Sequence, residues 1–231
     1  MREIKEVQGI SKQSYDRIGY YVDQFLFPQD IRGMKILDVG GADGTIGFYL
    51  KLNRGASVDI ADEYEGHGAS SSNYEKALAK VEELGFPYLK IIQGDIRCAD
   101  LEPQSYEFIY LRNTLHHIFP RGKSSDAEVV DLFKRFGQWL VPGGSLIVGD
   151  CSWIMACRLV PPLKRRLFPD ISFASKSSYR RWQKAGVRSG FSSHQLRWYV
   201  PYRLRRLRSI LDNEIAASCL TGSYVLHLKK T

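Results

Sequence analysis

The sequence predicts an α/β protein with a mostly parallel sheet covered by helices on both faces. Three observations carry that reading. Short apolar runs suited to buried strands alternate with stretches of helical periodicity through the first 150 residues. One such run, Ile36-Leu37-Asp38-Val39, enters the turn Gly40-Gly41-Ala42-Asp43-Gly44, and a helical stretch follows at once. Three successive strand-like runs end in acid, at Asp38, Asp62 and Asp95.

Taken in order, residues 14–27 carry Tyr15, Ile18, Val22, Phe25 and Leu26 at helical spacing. The first strand and glycine turn lead into a helix over residues 45–53, with Ile46, Tyr49, Leu50 and Leu52 on one face and Gly55 as its stop. A second strand over residues 56–62 ends at Asp62. The capping box Ser72-x-x-Glu75 opens a helix to Leu84 that Gly85 and Pro87 end. A third strand over residues 88–93 runs into Gly94-Asp95-Ile96, and a fourth spans residues 106–111. A second capping box, Ser125-x-x-Glu128, opens a helix through Val129, Leu132, Phe133, Phe136 and Leu140. Pro142-Gly143-Gly144 then turns the chain into a fifth strand ending at Asp150. Beyond it come an insertion over residues 151–171, a helix over 178–185, a strand over 195–199, a helix from Pro201 and a last strand over 223–228.

The pattern Asp38-x-Gly40-x-x-x-Gly44 lacks the Gly-x-Gly-x-x-Gly of dinucleotide sites, and an acid precedes the loop where a phosphate would be repelled. It resembles motif I of the class I S-adenosylmethionine-dependent methyltransferases, usually Asp/Glu-x-Gly-x-Gly-x-Gly. Ala42 departs from it, standing where the middle glycine is expected and narrowing the pocket floor. The resemblance covers roughly residues 34–150 well and the rest in outline. It implies a Rossmann-like, doubly wound, mostly parallel seven-stranded sheet with a C-terminal antiparallel hairpin and an insertion after strand 5. It implies S-adenosylmethionine as cofactor, held at Asp38, Gly40, Gly41, Ala42 and Gly44. Asp62 falls where the ribose diol needs an acceptor, with Asp59 as the fallback if the second strand stops early. Asp95 is similar to the family's strand-end acid at the adenine amino group, with Ile96 packed on the ring. Arg112-Asn113-Thr114-Leu115-His116-His117-Ile118 resembles the stretch that floors the cofactor site and opens toward substrate, which adds Asn113 to the cofactor set.

Methyl transfer is an in-line displacement in which the cofactor carries the reactivity and the protein orients the partners. An oxygen or carbon acceptor benefits from a base near neutral pH, for which His116 and His117 are the candidates. His194 and Tyr199 are weaker ones. A capping or packing role for either of the paired histidines is the competing reading. The substrate-side set is Tyr15, Asp150, Trp153 and Tyr199. An N-terminal helix often forms part of a lid in this family, which makes Tyr15, Tyr20 and Tyr21 gate candidates as well as packing residues. No Cys-x-x-Cys or Cys-His spacing involves Cys98, Cys151, Cys157 or Cys219, so no metal site is expected.

The 231 residues, 44% apolar and 25% charged, suit a single globular domain. Within it, residues 1–33 form a helical lid, 34–150 the cofactor-binding core, and 151–231 a basic substrate-side segment with the closing strands. No apolar run reaches the length of a membrane span, and Arg2, Glu3, Lys5 and Glu6 interrupt any signal-like start. The expectation is a cytoplasmic protein that can also sit peripherally on a membrane. The net charge of +8 is unevenly placed. Residues 1–150 hold 17 Lys+Arg against 22 Asp+Glu, a balance of −5, and residues 151–231 hold 16 against 3, a balance of +13.

That basic third, with Lys164-Arg165-Arg166, Arg180-Arg181 and Arg203-x-Arg205-Arg206-x-Arg208 among aromatic residues, points to an anionic small-molecule acceptor, an anionic membrane bearing a lipid-linked acceptor, or RNA. A solvated helix face is the plain alternative. No nucleic-acid module is recognisable, so nucleic acid is the least favoured. The reading is methyl transfer from S-adenosylmethionine to a small anionic or lipid-linked acceptor at oxygen. Its rivals are a catalytically silent protein that binds the cofactor, an RNA methyltransferase, and a nicotinamide oxidoreductase.

Overall fold

The computed structural model of the chain describes residues 11–65, 71–86, 89–153 and 175–231. Among them seven strands form one sheet: β1 Lys35–Val39, β2 Ser57–Asp62, β3 Ile91–Gln93, β4 Tyr106–Arg112, β5 Leu140–Cys151, β6 Phe191–Trp198 and β7 Ser223–Lys230. Their order is β3-β2-β1-β4-β5-β7-β6. The first five are parallel, and β7 lies antiparallel between β5 and β6. The closing antiparallel pair expected from the sequence is therefore present.

Eight α-helices are described: α1 Lys12–Tyr21, α2 Thr45–Arg54, α3 Ser71–Leu84, α4 Leu115–Ile118, α5 Asp126–Trp139, α6 Tyr179–Arg188, α7 Arg208–Leu211 and α8 Glu214–Leu220. Two apolar cores, one on each face, explain the double winding. One gathers Leu132, Phe133, Phe136 and Trp139 of α5 with Trp182 of α6 against β4, β5 and β7. The other gathers Phe48 and Leu50 of α2 with Phe25 and Phe27 against β1 and β2. Side chains as fully buried as Phe133 and Phe48 contribute on the order of 2–3 kcal/mol each.

Local sequence sets most boundaries. Gly44 takes the N-cap of α2 and Gly55 its C-cap, both left-handed (φ 76° and 67°), conformations glycine adopts without penalty. The Ser125–Glu128 capping box forms as read, with Glu128 accepting from the Ser125 N–H at 2.7 Å. Ser72 is a different case, since α3 begins at Ser71 and its cap falls outside the described residues. Pro142, Gly143 and Gly144 do not separate α5 from β5. They bulge out of the strand, where Tyr106 pairs with Leu140 and Phe108 already pairs with Ser145.

The N-terminal helix is shorter than read. It ends at Tyr21 and continues as one π-helical turn, Val22–Leu26. The helix expected from Pro201 begins as a 3₁₀ turn, Tyr202–Leu207. β3 starts at Ile91, and Tyr88 lies outside the described residues, as do Lys164, Arg165 and Arg166 and nearly all of the expected insertion. No helix among the described residues is long and apolar enough to cross a membrane.

Candidate functional site

The strand order reverses between β1 and β4, and ligands in open α/β sheets bind at the carboxyl ends of strands beside such a switch point. A cavity of about 380 Å³ lies there. β1 contributes Val39 and the following Gly40, β2 Asp62 and the following Glu63 and Glu65, and the turn after β3 Gly94, Asp95, Ile96 and Arg97. Arg112, Asn113, Thr114, His117 and Ile118 close it from the end of β4.

The glycine loop is shaped chiefly by packing. A Cβ on Gly40 (φ 74°) would fall 2.2 Å from Thr114 Oγ1, so only glycine lets the loop lie against the segment after β4. Thr114 is itself tied down, donating to the carbonyls of Val39 and Arg112 at 3.2 and 3.0 Å. Gly41 and Gly44 do not line the cavity. Cβ atoms there would run into Ile60, with Asp38 beside Gly41 and Phe48 beside Gly44, so these glycines let α2 sit down on β2. Ala42 does line the cavity and holds a left-handed φ of 49°. Its N–H donates to Asp62 Oδ2 at 2.8 Å.

Asp62 closes β2, and its other oxygen accepts from the Tyr64 N–H at 2.8 Å. Two backbone donors thus fix the carboxylate while each oxygen keeps acceptor capacity toward the cavity. Asp59, the fallback, is excluded by the structure: β2 runs on to Asp62, and Asp59 is buried at mid-strand, accepting from Tyr106 Oη at 2.9 Å and facing Lys35 Nζ at 3.4 Å. Asp95 sits in the cavity wall, where Arg97 pairs with it at 2.7 Å and holds its carboxyl below the ordinary value.

Asp38 does not reach the cavity. It is 2% exposed, its Oδ2 has no hydrogen-bond partner among the described residues, and burial reinforced by the Asp62 charge pushes its pKa up to about 7.

The paired histidines separate. Successive residues on a helix point about 100° apart. On α4, His117 lines the cavity and His116 turns inward to 1% exposure, the two rings 4.2 Å apart. His116 Nδ1 lies 2.7 Å from Asp150 Oδ1, and its Nε2 lies 2.5 Å from Lys176 Nζ. An ammonium has donors only, so Nε2 accepts from Lys176 and the ring proton sits on Nδ1, donated to Asp150. His116 keeps no lone pair for a substrate, which removes it from the catalytic pair read from the sequence. Asp150 Oδ1 also accepts from the Cys151 N–H at 2.7 Å, and Oδ2 is buried without a partner among the described residues.

A second cavity, about 200 Å³, adjoins the first, sharing Arg112 and Asn113. Asn113 has φ 54°, tolerated by asparagine, and its N–H donates to Gly149 O at 2.7 Å, which links the ends of β4 and β5. Arg17, Ile18 and Tyr21 of α1 face it from one side, and Asp150, Tyr199 and Tyr224 from the other. Tyr21 and Tyr199 meet edge to face at 5.6 Å, and the Arg112 guanidinium covers the Tyr21 ring at 4.9 Å. Arg197 and Arg208 both donate to the Gln24 carbonyl, at 2.7 and 3.3 Å, and tie the turn after α1 to the C-terminal segment.

Of the substrate-side residues, Asp150 and Tyr199 line this cavity and the other two do not. Tyr15 accepts from Asn53 Nδ2 at 2.5 Å and packs on Tyr49. Trp153 lies under Arg121, 4.2 Å from ring centroid to guanidinium. Tyr21, one of the three gate candidates, lines the cavity; Tyr20 packs against Phe25 and Tyr202.

Glu63, Arg112 and Lys176 join the site without having been candidates from the sequence. Glu63 adjoins a strand-end acid, and Arg112 stands within the quoted segment after β4, so both carried a signal. Lys176 lies 60 residues from His116 and carried none.

A seven-stranded sheet of this order, with its closing antiparallel pair and an acid-rimmed crevice at the switch point, is the fold of the class I S-adenosylmethionine-dependent methyltransferases. Solved structures agree on that fold. The PH0226 protein of Pyrococcus horikoshii OT3 superposes with a TM-score of 0.64 at 16% identity, over 98% of this chain and 94% of that one. Geranyl diphosphate C-methyltransferase from Streptomyces coelicolor A3(2), solved with Mg²⁺, geranyl diphosphate and S-adenosylhomocysteine, gives 0.63 at 12% identity, over 98% and 83%. Phosphoethanolamine N-methyltransferase 2 of Haemonchus contortus, solved with phosphomonomethylethanolamine and S-adenosylhomocysteine, gives 0.64 at 16% identity. The match spans 94% of this chain and about half, 52%, of that one. No family model and no curated relative matches the chain.

Proposed function

We propose that this protein is an S-adenosylmethionine-dependent methyltransferase whose cofactor occupies the first cavity and whose small anionic acceptor occupies the second. The observation that carries the proposal is the set of charged groups around the first cavity. Four carboxylates, on Asp62, Glu63, Glu65 and Asp95, stand against two guanidinium groups, on Arg97 and Arg112. Such a rim suits a ribose diol and a cation and repels a pyrophosphate. The N-terminus of α2, where a dinucleotide's phosphates would rest, is already capped from within. Asp43 Oδ1 accepts from the N–H and hydroxyl of Thr45 at 3.2 and 2.8 Å, and Lys80 pairs with Asp43 at 2.8 Å.

In this reading Asp62 receives the ribose hydroxyls, Ile96 and Ile118 pack on the base, and Asp95 or Glu63 takes an N–H. The cofactor supplies an electrophilic methyl group on a sulfonium. The protein's own part is to orient and to exclude water: Asn113 and Arg112 separate the two sites, and α1 covers the second through Tyr21. The oxygen acceptor expected from the sequence would have to give its proton to His117 in the first cavity, since His116 is spent on Lys176 and Asp150. A lipid-linked acceptor would present only its headgroup to a space of about 200 Å³.

Calorimetric titration with S-adenosylhomocysteine, with NAD as the control, tests the proposal. Saturable binding of S-adenosylhomocysteine alone is expected, weakened by about 1–3 kcal/mol in Asp62→Ala, where hydroxyls lose their acceptor. Binding of NAD alone, or of neither compound, refutes it. A silent cofactor-binding protein would bind and then transfer no methyl group to any acceptor.

A further inference from the structure

Resting on the methyltransferase reading, we propose that the acceptor is a small amine bearing an anionic group, methylated at nitrogen, with Asp150 as the anchor for the amine and Arg17 and Arg112 as the anchors for the anion. The second cavity carries opposite charges on different elements. Asp150 comes from β5, Arg112 from the end of β4, and Arg17 from α1. Asp150 is the informative member. It is 2% exposed, Oδ1 takes the His116 and Cys151 N–H donors, and Oδ2 is buried with no partner among the described residues. A buried carboxylate oxygen left unmatched is costly, and a ligand N–H satisfies it.

The flanking network holds the Asp150 carboxylate in one orientation. Lys176, 8% exposed, holds the His116 tautomer, and His116 in turn directs its N–H to Oδ1, leaving Oδ2 as the unmatched acceptor. Tyr21, Tyr199 and Tyr224 complete the walls, and aromatic faces favour cations. Arg112 makes no ion pair among the described residues and spreads over the Tyr21 ring, so its outer edge is open to an anion. A cavity of about 200 Å³ admits an acceptor of only a few carbons.

The chemistry needs no base in this cavity. The acceptor ammonium gives its proton to solvent before reaction, and the neutral amine's lone pair forms the N–C bond as the C–S bond breaks, that electron pair staying on sulfur. The products are an N-methylammonium and a thioether. Positive charge therefore moves from sulfur to nitrogen, where the Asp150 carboxylate stabilises it.

The test begins with protein saturated with S-adenosylhomocysteine, titrated with 2-aminoethyl phosphate, ω-amino carboxylates of two to four carbons, their hydroxy counterparts, and ethylamine. The same compounds are then incubated with methyl-labelled S-adenosylmethionine. At least one anionic amine should bind and gain the label on nitrogen. Its hydroxy counterpart should bind about tenfold more weakly and gain none, as should ethylamine. Preference for the phosphate or the carboxylate series identifies the anion.

Arg17→Gln, at an exposed position on α1, should raise the acceptor KM about tenfold with kcat and S-adenosylhomocysteine affinity unchanged. Asp150→Asn should abolish the preference for amine over hydroxyl. Labelling of the hydroxy compounds, inert anionic amines in a protein that binds S-adenosylhomocysteine, or an unaffected Arg17→Gln variant overturns the proposal while leaving the cofactor reading intact. Failure of S-adenosylhomocysteine to bind removes both.

Discussion

Lys176 Nζ lies 2.5 Å from His116 Nε2, and that contact decides what His116 can do. A ring nitrogen accepting from an ammonium cannot also take a proton from a substrate, and the other nitrogen already donates to Asp150 at 2.7 Å. The histidine is thereby a positioning residue for Asp150.

The tautomer gives a direct prediction. Nitrogen NMR at neutral pH should show His116 protonated at Nδ1 with Nε2 as acceptor. Lys176→Met should release that preference and cost on the order of 1–3 kcal/mol, the penalty for a buried acceptor left without its donor. A wild-type spectrum with the proton on Nε2 would dismiss the arrangement.

Ala42 supplies a second. Its φ of 49° is a conformation that L-residues with a Cβ adopt at a cost of about 1–2 kcal/mol, and its N–H must hold that geometry to reach Asp62. Ala42→Gly should raise stability in urea denaturation by up to about 1 kcal/mol, less than the full strain because glycine also loosens the unfolded chain. Affinity for S-adenosylhomocysteine should stay or improve. A loss of affinity would mean that the methyl group itself shapes the cofactor floor, as the sequence alone suggested.

Much of this arrangement was legible in the sequence, and the omissions have physical causes. Gly40, Ala42, Asp62, Asp95, Ile96, Asn113 and His117 all border the first cavity because each sits at or just beyond the end of a strand whose apolar run marks it. Asp38 has the same sequence context but stays inside β1, where only the register of the sheet shows it to be buried. His116 and His117 are indistinguishable in a linear reading, and a 100° helical step sends one to the core and the other to the cavity. Tyr15 and Tyr21 are both gate candidates on α1, yet of the two only Tyr21 meets the Tyr199 ring. The Lys176–His116–Asp150 chain joins three distant segments, and nothing local announces it.

Two buried groups with opposed titrations yield a prediction for stability against pH. Asp38 is raised to about 7 by burial and by Asp62, so the folded protein holds its proton where the unfolded chain has lost it. Its contribution is present below about pH 4 and is lost as pH rises toward 7. His227 is lowered to about 4, chiefly by burial, while its Nε2 bonds the Phe25 carbonyl at 2.9 Å. Its contribution is present above about pH 6.5 and is lost as pH falls toward 4. Each is worth roughly 3–5 kcal/mol at full shift, and between pH 4 and 6.5 their opposed slopes nearly cancel. Urea denaturation across that window should be flat for the wild type, rising with pH in Asp38→Asn, and falling with pH in His227→Gln. Two variants that both track the wild type would show that neither shift exists.

The basic C-terminal third divides into arginines used by the fold and arginines left outside it. Arg181 donates to the carbonyls of Phe119 and Ser124 at 3.2 and 3.0 Å and pairs with Asp126, and Arg208 fixes Gln24, so neither is available to a partner. Arg203, Arg205 and Arg206 stay exposed, beside Leu207 and Ile210 at 48% and 70% exposure, and line neither cavity. Reversing charge with Arg205→Glu and Arg206→Glu should therefore leave S-adenosylhomocysteine affinity and acceptor KM unchanged in solution. The same double variant should lose retention on vesicles containing anionic lipid, if this basic and apolar strip is where the protein meets a membrane, since each basic residue near such a surface contributes about 1 kcal/mol. A sedimentation assay with and without anionic lipid reads that difference. Equal, lipid-independent behaviour of both proteins would mark the strip as a solvated face, and a fall in cofactor affinity would place these arginines at the active cleft after all.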